Sequence, residues 1–536
     1  MLSKFLLYKR TILFLHPKQI LYRVYYFFFK SKFNEKPFYF NLRSHKSNKF
    51  HYLKKNNSII KNGKFRFINI THKTDYKWQI KSNNKLWLYN LHYFDYLNCG
   101  IYKKKYLNNY INNWIDINTK HKSVGLEPYP TSLRIVNWIK YFITYNVNEK
   151  KFNNNLFNQI IHLSKNYEYH LLGNHYIANL KAVFFGCIYF NSDKLNKIFT
   201  DCLIKLEDEI NNQILMDGGH AEFSPMYHAI ILEDLLDIIS IINFYDYKLK
   251  KKFKYLITKK INSMFYWLRL LTHPNDTYCK FNDTSENIAN SYSSLLKYAH
   301  SLGFKINNFT PKYTYLKNTG YFSYINKNIF FCINVGNSSI DHLSGHTHAD
   351  TLSFELSYKK NIFFSNGGIS TYNVGKTREF ERSSANHNTV IVNNRNSSEV
   401  WNSFRLSRRI KIGKLMIINK RNSLKISNFY LDYLREYKHT RSVEFSNNKI
   451  KILDENNLSD NFFSRLILRP DIRLKKLNKK MIVLYKKNIS IKLHSLSGNF
   501  KINKFQYKKE FGLKQSTFCI DLKSNLKKAL YEIIFT

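Results

Sequence analysis

The sequence predicts an α+β chain in two large parts. The first is an array of helical hairpins, either a solenoid or a closed toroid, and the second is an antiparallel β-sandwich. Two changes of texture lead there. From about Tyr102 to about Gly303 apolar residues recur at three- and four-residue steps, the spacing of one helix face. From about Lys312 onward short β-branched and aromatic runs alternate with polar turns, the spacing of strands. Size adds a third observation. The chain has 536 residues, too many for one ordinary core. Residues 1–100 read as an extension packed on the helical part, 101–311 as the helical domain and 312–536 as the sandwich. With no long linker between the halves, they should pack tightly and share a cleft.

The elements follow in order. Met1 to Phe33 is apolar but broken by Lys9, Arg10, His16, Lys18 and Arg23, so no run approaches the ~18 apolar residues of a membrane span. No small-residue cleavage site follows it. The expectation is therefore no signal peptide, a cytoplasmic location by default, and the cell envelope or periplasm as the alternative. This stretch reads as a helix docked on the main body or as a basic amphipathic surface helix. Trp78, Trp87, Tyr89, His92, Tyr93 and Phe94 form an aromatic cluster of the kind that fills cores. Helices fit Thr131–Tyr145, Asn153–Leu172, a segment capped by Asn174, a segment capped by Ser192 or Asp193, and a segment opened by Ser224-Pro225, a cap followed by proline in the first turn. Strands fit 321–324, 329–335, 449–453, 481–485 and 489–493.

Composition narrows the class. Hydrophobic residues make up 44% and aromatics 17%, which excludes a disordered chain. Lys+Arg number 85 against 37 Asp+Glu, a formal charge of +48 that attracts polyanions. The basic residues are scattered, with no paired zinc-ligand cysteines or Gly-rich aromatic strand, so nucleic acid is not the expected partner. The six cysteines are far apart and read as small buried hydrophobes.

Helix polarity gathers the chemistry. Short loops make neighbouring helices antiparallel, so the helices starting near Thr131, Asn174 and Pro225 point the same way. That puts Arg134, Asn174, His175 and Tyr227 at one end of the array, where helix N-termini favour anions. His346, His348 and Asp350 sit at the mouth of an alternating strand. Histidine, tyrosine, asparagine and arginine in such a cluster suit proton abstraction beside a carboxylate.

Five motifs, in order, resemble the heparinase II/III-like polysaccharide lyases: Pro128-Tyr129-Pro130-Thr131-Ser132-Leu133-Arg134; Gly173-Asn174-His175-Tyr176-Ile177-Ala178-Asn179; Asp217-Gly218-Gly219-His220 through Ser224-Pro225-Met226-Tyr227-His228; His346-Thr347-His348-Ala349-Asp350; and Arg382-Ser383-Ser384-Ala385-Asn386-His387-Asn388-Thr389-Val390. The resemblance implies an N-terminal α/α toroid, an incomplete barrel of helical hairpins, followed by the sandwich. It implies β-elimination at a uronic acid of an acidic polysaccharide, with no obligatory cofactor. Asn174 and His175 would neutralise the uronate carboxylate, Tyr227 would be acid or base, and His346 a second acid/base group. Arg134, His220, Glu222, His228 and Arg382 would bind substrate. His348 and His387 match positions that hold a structural metal, zinc or calcium, in some relatives. Here Asn366 stands where the third ligand, an aspartate, would be, and it is uncharged and a poorer ligand. Ala178 replaces a glutamate found in some relatives, which bears on the sugar accepted. Three other functions stay open: a glycan-binding protein with a degenerate site, a glycoside hydrolase using two of Glu222, Asp283 and Glu286, and a nucleic-acid binder driven by charge. The polymer and the oligomeric state are not legible.

Overall fold

A computed structural model describes all residues except 1, 30, 61–62, 75–77, 79, 81–83, 120–122, 308, 338, 458–461 and 524–526. Two short helices, α1 (Leu2–Ile12) and α2 (Pro17–Phe29), precede a small sheet and α3 (Lys85–Tyr93). The helical part continues with α4 (Lys104–Asn118), α5 (Pro128–Tyr145), α6 (Lys150–Ser164), α7 (Gly173–Tyr189), α8 (Asp193–Gln213), α9 (Pro225–Tyr245), α10 (Lys251–Leu270) and α11 (Tyr292–Ser301). A last helix, α12 (Lys376–Arg382), lies within the β part. The helical region followed by antiparallel sheets agrees with the toroid-plus-sandwich expectation.

Local chemistry explains the helix starts. Ser224 caps α9, its Oγ accepting the Tyr227 N–H at 3.3 Å, with Pro225 in the first turn. Ser192 occupies the cap position of α8, though its side chain makes no cap bond. Helix α7 differs from expectation. Asn174 is not the cap but lies in the first turn, after Leu172 (φ 59°) and Gly173 (φ 57°). The Asn174 N–H that a cap would take is instead bonded by the Glu222 carboxylate at 3.1 Å. A Cβ on Gly173 would fall 2.2 Å from Glu222 Oε1, so glycine is required there for space as well as for its backbone angle. Helix α6 also ends early, at Ser164, because residues 165–172 turn to present Glu168. The Glu168 N–H donates to Asn179 Oδ1 at 2.7 Å.

The β part is antiparallel throughout its named sheets. Tyr313–Leu316, Tyr321–Ile325, Ile329–Asn334, Phe354–Tyr358 and Asn361–Phe364 pair in sequence order as a five-stranded sheet. A nine-stranded sheet has at its centre Leu424–Leu431, Lys438–Phe445, Lys449–Asn456 and Lys528–Phe535. Along Lys449–Asn456 every second residue is buried, so one face meets the core. The apolar faces form one core that includes Phe331, Phe354, Ile452 and Ile533.

The helical core contains Trp87, Trp114, Trp138 and Trp267. Ile59, Phe65 and Trp78 belong to it, so the first hundred residues add to the helical body. It also runs into Tyr321, Phe330, Cys332 and Leu343 of the β part, which ties the two halves along a seam. The cysteines are all free and buried.

Candidate active site

The site lies on that seam. Helices α5, α7 and α9 place their first turns together: the Tyr129 ring lies 4.2 Å from the His175 ring, between α5 and α7. From α7, Asn174 faces the loop before α9, donating through Nδ2 to both Glu222 oxygens at 3.0 Å. From α9, Tyr227 stacks on His346 with centroids 3.9 Å apart and its hydroxyl 2.9 Å from that of Tyr372. The sandwich side supplies His346 from a turn at Asp341–His346, and Tyr372 and Arg378 from the segment around α12.

Asp283 organises these groups. Its Oδ2 accepts from His346 Nδ1 and its Oδ1 from His348 Nε2, each at 2.8 Å. Arg378 grips both oxygens in a fork, at 2.6 and 2.7 Å. Burial opposes its charge, but Arg378 and then the two imidazoles outweigh burial and hold the carboxyl well below the usual range. A carboxylate at Nδ1 assigns the proton to that nitrogen and leaves His346 Nε2 as the acceptor. Nε2 points at the Asn174 amide, 3.4 Å away. Among the described residues Asn174 Oδ1, though buried, has no hydrogen-bond partner.

Neighbours act differently on Tyr227 and His175. Burial, then Tyr372 and Asp283, push the Tyr227 phenol well above its ordinary value, so it carries its proton at neutral pH. For His175 burial favours the neutral ring, but Glu168, 3.2 Å from Nδ1, overrides it and raises the pKa.

Backbone strain collects here. Phe223 (φ 56°) precedes the α9 cap and Asn282 (φ 52°) precedes Asp283. Asn282 holds both loops. Its Nδ2 donates to Phe223 O at 3.0 Å, its Oδ1 accepts the His348 N–H at 2.9 Å, and its own N–H donates to Asp350 at 3.2 Å.

Several expected substrate contacts lie elsewhere. Arg134 is fully buried, with donors on Gln159 Oε1, the carbonyls of His92 and Gly125, and Thr131 Oγ1, and its guanidinium is 3.9 Å from the Trp114 ring centroid. It ties α5 into the helical wall and has no face toward a ligand. Arg382 is likewise buried, its donors on the carbonyls of Thr347, Trp401, Asn402 and Arg405, where it clamps the loop after His346. His228 is stacked on Trp267 and bonded to Met264 O, and burial pushes it down to about 3. His220 is bonded to Gln213. Glu222 is spent on Asn174. We expect Arg134→Lys to cost about 3 kcal/mol of stability, because a lysine leaves several of these buried acceptors unmet. The KM for polymer should stay unchanged in the folded fraction. Denaturant unfolding alongside substrate saturation checks both.

The histidine pair offers two nitrogens but no charged third ligand. His348 Nδ1 and His387 Nε2 face each other at 3.1 Å. Their other nitrogens are taken by Asp283 and the Ser383 carbonyl. Burial pushes both rings down, His348 to about 4. Asn366 Oδ1 accepts the Asn388 N–H and gives no charged third ligand. A different buried group, His273, Cys279 and Glu355, has ligand atoms within 4.8 Å of one another and could hold a metal. His273 is already bonded to Glu355 and Ser357 at 2.7 Å each.

Sequence reasoning missed Glu168, Asn282, Tyr372 and Arg378 as parts of the site. Arg378 stood inside a dense Arg-Glu run, but its partner is 95 residues away. Asp283 was weighed only as a hydrolase carboxylate.

A helical toroid sealed to a β-sandwich, with a histidine, a tyrosine and an asparagine converging at the seam, defines the class of polysaccharide lyases. Residues 47–305 match the heparinase II/III N-terminus and residues 310–533 the heparinase II/III-like C-terminal domain. The chain belongs to the heparinase II/III family. Among solved structures, heparinase III is similar with a TM-score of 0.69 at 18% identity, covering 86% of this chain and 78% of that one. A mutant heparan sulfate lyase from Pedobacter heparinus gives 0.58 at 18%, covering 88% and 81%. At such identities the likeness is one of fold. No curated protein matches.

Proposed function

We propose that this protein cleaves a uronate-containing acidic polysaccharide by β-elimination. The observation that carries the reading is the Asp283–His346 pair beside Tyr227: an imidazole oriented by a carboxylate at Nδ1, stacked on a phenol that holds its proton. His346 Nε2 takes the C5 proton of the uronate, the C4–O bond breaks, and Tyr227 gives its proton to the departing oxygen. The products are a 4,5-unsaturated uronate end and a new chain end. The carboxylate beside C5 takes up developing charge. His175 and the N-terminus of α7 offset that charge, and the uronate shares the Asn174 donors with Glu222. The net charge of +48 suits a polyanionic substrate.

A hydrolase would need one protonated carboxyl. Against burial, the Asn174 N–H and amide donors help hold Glu222 ionised, Arg378 holds Asp283, and Lys280 and Arg469 bring Glu286 to about 2. None serves as the acid.

The test is a panel of uronate polymers (heparan, alginate, chondroitin and a capsular extract) followed by absorbance of the unsaturated product. A rise on one polymer supports the reading. No rise on any of them, with reducing ends appearing instead, would show hydrolysis.

A pH prediction follows from His175. Its raised pKa keeps it cationic to higher pH than an ordinary imidazole, and the proton is released as pH rises through that value. We expect kcat/KM to fall on the alkaline side, before Tyr227 ionises, and this limb to flatten in His175→Gln.

A further inference from the structure

We propose that α1 and α2 form an anchor that lies on an anionic membrane surface. The observation is an inverted polarity in α2. Its polar side chains face the protein: Gln19 Nε2 donates to the carbonyls of Leu171 and His342, Arg23 to His170 O, and the Tyr26 hydroxyl to Tyr167 O. Its apolar side chains face outward. Leu21 is 64% exposed, Phe27 84% and Phe28 68%, and Leu13, in the link from α1, is 75% exposed. A helix normally buries its apolar stripe and wets its polar one. Here the polar groups are used for docking and the apolar ones are left for an apolar medium outside.

Charge indicates which medium. Residues 1–34 contain seven Lys or Arg and no Asp or Glu. Lys4, Lys9 and Lys32 are exposed. Exposed aromatics with surrounding cations suit the headgroup region of an anionic bilayer, where rings sit at the acyl boundary and ammonium groups meet phosphate. The mode is to lie on the surface: among the described residues no helix is long and apolar enough to cross a membrane. The same helix pair is fastened to the protein at both sides of the seam. Trp401 Nε1 donates to Thr11 Oγ1 from the β part, and Arg409 covers the Phe14 ring at 3.6 Å. Leu171 and His342, the docking points of Gln19, lie in the segments that lead to Asn174 and His346. Membrane binding through this anchor would therefore hold the mouth of the cleft next to the bilayer.

The experiment is co-sedimentation of the full chain with vesicles of phosphatidylcholine, with and without phosphatidylglycerol. It needs no turnover, so it is independent of the lyase reading. We expect binding to the anionic vesicles that weakens with salt. Binding should fall by more than about tenfold in Leu21→Ser/Phe27→Ser/Phe28→Ser, whose side chains are already outside the protein. Lys4→Glu/Lys9→Glu should lose the preference for phosphatidylglycerol. Both variants should melt as the parent does. The proposal is overturned if the parent stays in the supernatant at low salt or if the triple variant sediments like the parent. It is also overturned if the parent is a dimer that the triple variant dissociates without vesicle binding, because a second copy then covers the face.

Discussion

Tyr227→Phe should fold within about 1 kcal/mol of the parent and lose roughly 10²–10⁴-fold in turnover. The small structural effect follows from what the hydroxyl does at rest. It makes one bond, to Tyr372 at 2.9 Å, while the ring keeps its stack on His346. The large chemical effect follows from the proton it holds. Burial and the neighbours Tyr372 and Asp283 keep Tyr227 a phenol, and phenylalanine has no proton to give the departing oxygen. Tyr372→Phe is the matched control: it removes the same bond from the other side and should retain most activity. Product absorbance and thermal melting of the three proteins decide the point. A Tyr227→Phe enzyme with more than a tenth of parental turnover would remove Tyr227 as the proton donor.

Asp283→Asn should damage both stability and chemistry. The carboxylate is fully buried and forked by Arg378, so the amide leaves a guanidinium without its counter-charge, at a cost of about 3–5 kcal/mol. The amide also turns a donor toward His346 Nδ1 and favours the other tautomer, which takes the lone pair from Nε2. Wrong-tautomer variants of a catalytic imidazole lose up to about 10⁴-fold. The pH dependence has a definite sign. The carboxyl is depressed in the folded protein, so its contribution is present above the ordinary value of about 4 and is lost as pH falls through the folded value. This acid-side loss should be smaller in the variant. Arg378→Ala separates the two roles. It should lose comparable stability yet keep the His346 tautomer, and so keep more of its turnover. Equal turnover losses in both variants would assign Asp283 to structure alone.

Much of the fold was legible from local pattern. Ser224-Pro225 opens α9 because its cap bond and proline geometry involve only neighbours. The strand at 449–453 shows its period of two directly, and the one at 329–335 reads as a short, unbroken apolar run buried on both faces. Helix polarity also carried real information: it put Arg134, Asn174, His175 and Tyr227 at one end of the array, which the order of residues alone would not. It was least informative for long side chains. Arg134 lies one turn further along α5 than Tyr129, and its guanidinium turns into the helical wall, where Gln159 and two carbonyls receive it. A motif places a Cα, but an arginine reaches far enough to serve either side of the wall.

The chain by itself determined the periodicities, the helix starts and the segments that carry titratable groups, since each depends on residues a few positions apart. Only the tertiary structure decided what those groups are bonded to. Glu222 rather than a local cap meets α7, Glu168 raises the pKa of His175, and Asp283 joins His346 to Arg378 across 95 residues. Protonation depends on burial and on the charges within a few ångströms, and both are set by which distant segments pack together.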